Sequence, residues 1–180
     1  MNLIIINGLP GTGKTTIAKS IALKLNMPLI MKDAIKEFLF DTLGVKDRKW
    51  SGSLGKFSYK YLYELTDFML ADGQSIIIEN AFEKQYSKPI LEEIISKYKF
   101  DKIYEIYCFT GKDTRRKRYM DRNESGNRHP GHVDHLNYLS DNDPEPTEKY
   151  GPLNIGKLIK VNTTDFDSVN VDKIIELIHL

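Results

Sequence analysis

Apolar positions along the 180-residue chain fall into short runs that alternate with helical stripes. Leu3-Ile4-Ile5-Ile6 is a β-branched run suited to a buried parallel strand. Thr16 to Leu25 follows, with Ile17, Ile21 and Leu25 four apart on one helical face. Pro28 to Met31 predicts a brief second strand. Asp33 opens a helix in which Ile35, Phe38, Leu39 and Leu43 are periodic and Gly44 is the stop. Val45 to Ser53 is polar, contains Gly52 and reads as a loop. A longer helix is predicted from Leu54 to Asp72, with Phe57, Tyr61, Leu65, Phe68 and Met69 on one face and Gly73 closing it. Ser75 to Glu79 is the third strand. Ser87 to Tyr98 is a helix with Ile90, Leu91, Ile94 and Ile95 on one side, and Lys102 to Phe109 is the fourth strand. Lys112 to Glu124 is a basic helical segment. Lys157 to Val161 is a fifth strand, and Val169 to Leu180 a closing helix with Val171, Ile174, Ile175 and Ile178 inward. Strands followed in turn by helices predict an α/β fold: a five-stranded parallel sheet between two helical layers, a three-layer sandwich. One domain over residues 1–180 is expected.

Between the basic helix and the last strand, residues 126–156 form an irregular insertion with Pro130, Pro144, Pro146 and Pro152. A compact domain seldom carries so long a structureless stretch without a task for it.

Composition narrows the classes. Charged residues are 28% and hydrophobic ones 41%, ordinary for a globular protein, and the formal net charge is +1. That balance supplies no global drive toward long nucleic acid or acidic membranes. No apolar run reaches the length of a membrane span, and the N-terminal run is too short for a signal peptide, so a cytoplasmic location is expected. The single cysteine, Cys108, is expected to be buried packing.

Chemistry enters between the first strand and the first helix. Gly8-Leu9-Pro10-Gly11-Thr12-Gly13-Lys14-Thr15 is a complete G-x-x-x-x-G-K-[ST] phosphate loop, in the strand–loop–helix order that the motif requires. Loop N–H groups and the helix N-terminus form an anion site. Gly8, Pro10, Gly11, Thr12, Gly13, Lys14, Thr15 and Thr16 are the expected nucleotide-binding residues. Lys14 reaches β- and γ-phosphates, and the Thr15 hydroxyl is a ligand for Mg²⁺.

In parallel sheets, ligands bind at the carboxyl ends of the strands. This rule selects Asp33 after strand two, Glu79 and Asn80 at the end of strand three, and the segment after Phe109. Asp33 could take the proton of an attacking hydroxyl, or could simply cap the helix that follows. Glu79 could hold Mg²⁺ or its water, bind substrate, or emerge as a strand-end charge. Lys112 to Arg128 carries seven basic residues against three acidic ones. Arg118 and Arg122, four apart, suit a lid over residues 112–135 that closes on the transferring phosphoryl group; the alternative is a solvated basic face. Arg128-His129-Pro130-Gly131-His132, with His135 nearby, lacks a recognisable zinc-ligand spacing and reads as a substrate- or phosphate-facing loop. Trp50, Tyr59 and Tyr63 could stack on a ring or belong to the core.

From Met1 to His135 the chain resembles the small P-loop kinases grouped around zeta toxins, chloramphenicol phosphotransferase and the kinase domain of polynucleotide kinases, an AAA-type P-loop kinase-like family. The resemblance lies in the phosphate loop, Lys32-Asp33-Ala34-Ile35-Lys36, Ile78-Glu79-Asn80-Ala81-Phe82, Arg118-x-x-x-Arg122, and Arg128 to His132. It implies Asp33 as general base, Arg118 and Arg122 as lid arginines, and Lys36 facing an acceptor phosphate where polynucleotide kinases often have arginine. Glu79 and Arg128 join Lys36 as expected substrate-binding residues.

The expectation is therefore an ATP-dependent kinase using Mg²⁺, with an alcohol acceptor on a small molecule, a nucleoside or nucleotide, or a short nucleic-acid 5′ end. The alternative is a nucleotide-binding switch with slow hydrolysis and no acceptor. Lys14→Ala is expected to abolish phosphoryl transfer by removing charge stabilisation from the transition state. An ADP-release assay checks this; unchanged activity would place the chemistry elsewhere.

Overall fold

Five parallel strands in the order β2-β3-β1-β4-β5 form the centre of the computed structural model, which describes residues 1–126, 128–132 and 148–178. The elements in chain order are β1 (Asn2–Asn7), α1 (Lys14–Leu25), β2 (Leu29–Met31), α2 (Lys32–Leu43), α3 (Arg48–Ala71), β3 (Ile76–Glu79), α4 (Lys84–Ser96), β4 (Lys102–Phe109), α5 (Lys112–Glu124), β5 (Lys157–Asn162) and α6 (Val171–Leu177). The expectations for His135, for residues 133–147 with Pro144 and Pro146, and for His179 and the chain end lie outside the described residues.

Alternation along β1 builds two cores. Leu3 and Ile5 face one layer with Ile76 and Ile78, against Leu62 and Leu70 of α3 and Leu91 and Ile94 of α4. Ile4 and Ile6 face the other with Ile77, Ile106 and Cys108, against Ile17 and Ile21 of α1 and Ile174 of α6. A strand buried on both faces must be apolar throughout, which is why β1 reads as an unbroken run. The chain leaves β1 toward β3 and β2 on one side and takes β4 and β5 on the other. Order reverses at β1, and the crevice at such a switch point is where ligands bind in open parallel sheets.

Three helix readings are corrected. The helix expected from Leu54 begins at Arg48, because Asp47 caps it: Trp50 N donates to Asp47 Oδ1 at 2.7 Å. Its inward face is also different. Leu54, Ser58, Leu62, Thr66 and Leu70 are buried at a spacing of four, whereas Phe57 and Phe68 are 56% and 63% exposed. Ser58 and Thr66 enter this stripe because each hydroxyl donates to the carbonyl four residues back, at 2.7 Å. A hydroxyl satisfied by its own helix packs like a small apolar group. In α2 the inward residue is Phe40, while Phe38 is 66% exposed and Leu43 is also exposed. The fourth helix starts at Lys84, three residues early.

Residues 151–155 return to the sheet through a buried carboxylate. Glu105 of β4 is fully buried and accepts from Asn7 Nδ2 (3.1 Å), Leu153 N (2.8 Å) and Asn154 N (2.7 Å). Glu105→Ala is expected to cost about 3 kcal/mol or more, since it strands several buried donors. Urea unfolding would measure it, and a loss under about 1 kcal/mol would show that this carboxylate does not hold the segment.

Candidate active site

The phosphate loop is fixed from behind. Asn7 ends β1, and its Oδ1 accepts from Gly8 N at 2.7 Å. Gly8 has φ +146°, and a side chain there would run into the carbonyl oxygen of Cys108 at the end of β4. Thr12 is buried, with its hydroxyl on Leu9 O at 2.8 Å. Gly8, Thr12 and Gly13 thus shape the loop, while Pro10, Gly11, Lys14, Thr15 and Thr16 line the cleft in front of it. No side chain caps α1, and no acid stands in its first turn. Its first N–H groups lack helical partners, so the helix start suits an anion.

Glu79 lies across the loop at the end of β3, 3% exposed. Lys14 Nζ is 3.3 Å from its Oε1, and the Thr15 hydroxyl donates to its Oε2 at 3.3 Å. Lysine, hydroxyl and carboxylate therefore form one cluster, and of the alternatives for Glu79 the solvated strand end is excluded.

Asp33 faces the same cleft from the first turn of α2. It does not cap that helix: Met31 holds the cap position, with no side-chain cap bond. Its Oδ1 is 2.6 Å from Lys32 Nζ, and its Oδ2 is 3.6 Å from Arg128 Nη1. Burial works to raise its pKa, but the Lys32 and Lys14 ammonium groups outweigh it and hold the carboxyl well below the usual carboxylate range. Lys36, one turn on, lines the cleft, and its Nζ donates to Ser51 Oγ at 3.0 Å.

The cleft has a volume of about 710 Å³. Among the described residues, nine lysines and arginines line it against Asp33, Glu37 and Glu79. In a chain of net charge +1 this concentrates positive potential where a polyphosphate would sit.

Arg122 and Arg128 line the cleft, but Arg118 does not. The Arg118 guanidinium donates to Thr163 O at 2.6 Å and Thr164 O at 3.2 Å, and stands 5.6 Å from the Phe166 ring centre. The cleft-lining residues of α5 are Lys112, Arg115, Arg116, Tyr119 and Arg122. Residues 112, 115, 119 and 122 share a three-four-three spacing, but Arg118 is only about 40° from Arg122 around the helix, and its bonds to the Thr163 and Thr164 carbonyls are what turn it away. Arg115 and Arg116 were legible as charges but not as site residues. Tyr59 lines the cleft, its hydroxyl donating to Ala81 O at 3.1 Å, whereas Trp50 donates to Gly44 O and Tyr63 is buried. Cys108 is buried, which pushes its thiol up to about 12. His129 and His132 pair with acids of α2, and no grouping of three or more metal-ligating residues occurs among the described residues. No described helix is long and apolar enough to cross a membrane.

A family model described as AAA domain matches residues 3–139. Among solved structures, a candidate kinase from Chloroflexus aurantiacus J-10-fl is 33% identical, covers 99% of this chain and 98% of its own, and superposes with a TM-score of 0.85. A sugar kinase from Janibacter sp. HTCC2649 is 16% identical over 99% of this chain and 92% of its own, TM-score 0.54. A gluconokinase from Sinorhizobium meliloti 1021 is 14% identical over 97% and 87%, TM-score 0.52. The last two are alike in fold alone. No curated protein matches the chain.

Lys32→Ala is expected to raise the Asp33 pKa, because it removes the nearest cation favouring the ionised form. The acid limb of the pH profile for ATP turnover should then move to higher pH. An unmoved limb would mean that Lys32 does not tune this carboxylate.

Proposed function

The chain belongs to the AAA-domain family, and from that premise we propose that it is an ATP-dependent kinase that transfers the γ-phosphoryl group to an alcohol. One arrangement carries the reading. Asp33 stands across a cationic cleft from an uncapped helix start that bears Lys14 and Thr15. A nucleotide switch needs the second of these features; a carboxylate on the far side of the cleft is what an acceptor hydroxyl would need in addition.

Arg115, Arg116 and Arg122 of α5 supply guanidinium groups toward the phosphates. A planar fork that keeps its charge suits the equatorial oxygens of a transferring phosphoryl group. Arg118, turned to the β5 end, is left out of that role. The Thr15 hydroxyl and Glu79 carboxylate, hard oxygen donors on one cluster, fit Mg²⁺, Glu79 directly or through water. When bound, the ion would neutralise charge on the β- and γ-oxygens.

Transfer forms a bond from the acceptor oxygen to the γ-phosphorus and breaks the bond from that phosphorus to the β–γ bridging oxygen, releasing ADP. The acceptor proton goes to Asp33. A carboxylate held at so low a pKa does not strip the hydroxyl beforehand. It accepts the O–H hydrogen bond, aims the oxygen, and takes the proton late, once the new bond has made the hydroxyl acidic. Lys36 and Arg128 border the acceptor side and would bind the acceptor.

A screen of nucleosides, nucleotides, short oligonucleotides and hydroxylated metabolites, scored by ADP release, tests the proposal. A true acceptor should raise turnover well above that with water. Asp33→Asn should keep nucleotide affinity and lose transfer by roughly 10²–10⁴-fold. Turnover that no acceptor accelerates, or an Asp33→Asn variant of full activity, would contradict it.

A further inference from the structure

Residues 128–132 lie along α2 in a paired row. Arg128 Nη1 is 3.6 Å from Asp33 Oδ2, His132 Nε2 is 2.9 Å from Glu37 Oε1, and His129 Nε2 is 3.1 Å from Asp41 Oδ1. The three acids are four residues apart and so form one line along the helix. Phe40 stands among them, 2% exposed. The His129 ring stacks on it at 5.4 Å and 14°, and the His132 ring meets it edge-on at 6.1 Å.

The backbone of this stretch is fitted to the same ring. A Cβ at Gly131 would collide with Phe40, so glycine is what lets the chain pass. Gly131 N donates to His129 Nδ1 at 3.0 Å, which leaves the Nε2 proton of His129 for Asp41. Gly131 O accepts from Ser51 Oγ at 3.1 Å, and His132 N donates to His129 O at 3.0 Å. The His132 side chain is only 2% exposed. A ring so buried, on a short irregular stretch, is an anchor, and the arginine four residues before it is what the anchor delivers to the cleft.

We propose that His132, through Glu37, is the positioning residue that holds Arg128 at the Asp33 carboxylate. Arg128 has many rotamers, and one of them must be selected to place its charge beside the base; fixing the backbone on α2 does this. The inference rests on the reading of Asp33 and Arg128 as the acceptor side of the site.

A double-mutant cycle on the full chain separates positioning from a merely structural role. The assay is ADP release from MgATP with water as acceptor, with nucleotide affinity and the melting temperature measured alongside. Arg128→Ala and His132→Ala should each lower turnover roughly 10- to 100-fold, the scale of one lost charge-assisted contact. In the Arg128→Ala background, His132→Ala should change turnover by less than about twofold. His132→Gln, which keeps an N–H donor for Glu37, should recover most of the loss. If His132→Ala does not fold, Glu37→Ala takes its place in the cycle with the same expectation. Equal losses from His132→Ala in both backgrounds would overturn the proposal and leave the acceptor-side reading standing. An Arg128→Ala variant of full turnover would also overturn the proposal, whereas the acceptor-side reading falls with an Asp33→Asn variant that keeps full transfer to a true acceptor.

Discussion

The carboxamide of Asn7 is the constraint on which the other parts depend. It is fully buried at the carboxyl end of the central strand. Its oxygen accepts from Gly8 N and Phe82 N at 2.7 and 3.1 Å, and its nitrogen donates to Glu105 Oε1 and Gly151 O at 3.1 and 3.2 Å. Four segments distant in sequence therefore meet on one side chain: the start of the phosphate loop, the turn after β3, the interior of β4 and the return of the chain after residue 148. A buried amide with both donors and both acceptors used specifies one arrangement, because any other leaves a polar group stranded. The phosphate loop inherits its rigidity from this bond set, and a rigid cradle loses little on receiving its ligand.

Charge is arranged in front of that scaffold on the same logic. Nearly all of the cleft's cations come from three places: the start of α1, the start of α2 and one face of α5. Each is beside a strand end, so the parallel topology itself gathers them. Among the described residues, three acids are placed singly among them, and each has a cation or imidazole partner: Glu79 on Lys14, Asp33 between Lys32 and Arg128, Glu37 on His132. On the proposed function, Glu79 would compete with phosphate for Lys14, and nucleotide entry would exchange one ion pair for another instead of leaving a buried ammonium bare.

The sheet and the phosphate loop were legible because their determinants are local. An apolar β-branched run, a glycine loop and an amphipathic helix are each encoded in a dozen neighbouring residues, and the strand-end rule carried Asp33 and Glu79 to the edge where both line the cleft. The inward face of α3 was not legible, since Ser58 and Thr66 look polar until their hydroxyls are seen to bond within the helix. Large aromatics such as Phe57 and Phe68 then drew the stripe to the wrong side. Arg118 and Arg122 lie close together on a helical wheel, and only the carbonyls of Thr163 and Thr164, far along the chain, draw one of them away. The pairing of His129 and His132 with α2 joins residues more than eighty apart, and nothing in the spacing of either segment announces the other. Asn7 and Glu105 gave no signal at all: a polar residue inside a strand shows its purpose only when its partners are in place.

The most direct measurement is a crystal structure with Mg²⁺ and a non-hydrolysable ATP analogue. The expected result has the triphosphate against the N–H groups from Gly11 to Thr16, Lys14 Nζ moved from Glu79 to the β- and γ-oxygens, and Asp33 facing the terminal phosphorus across the cleft. Phosphates bound elsewhere, with Lys14 still on Glu79 and the helix start empty, would contradict the assignment of this cleft as the phosphoryl-transfer site.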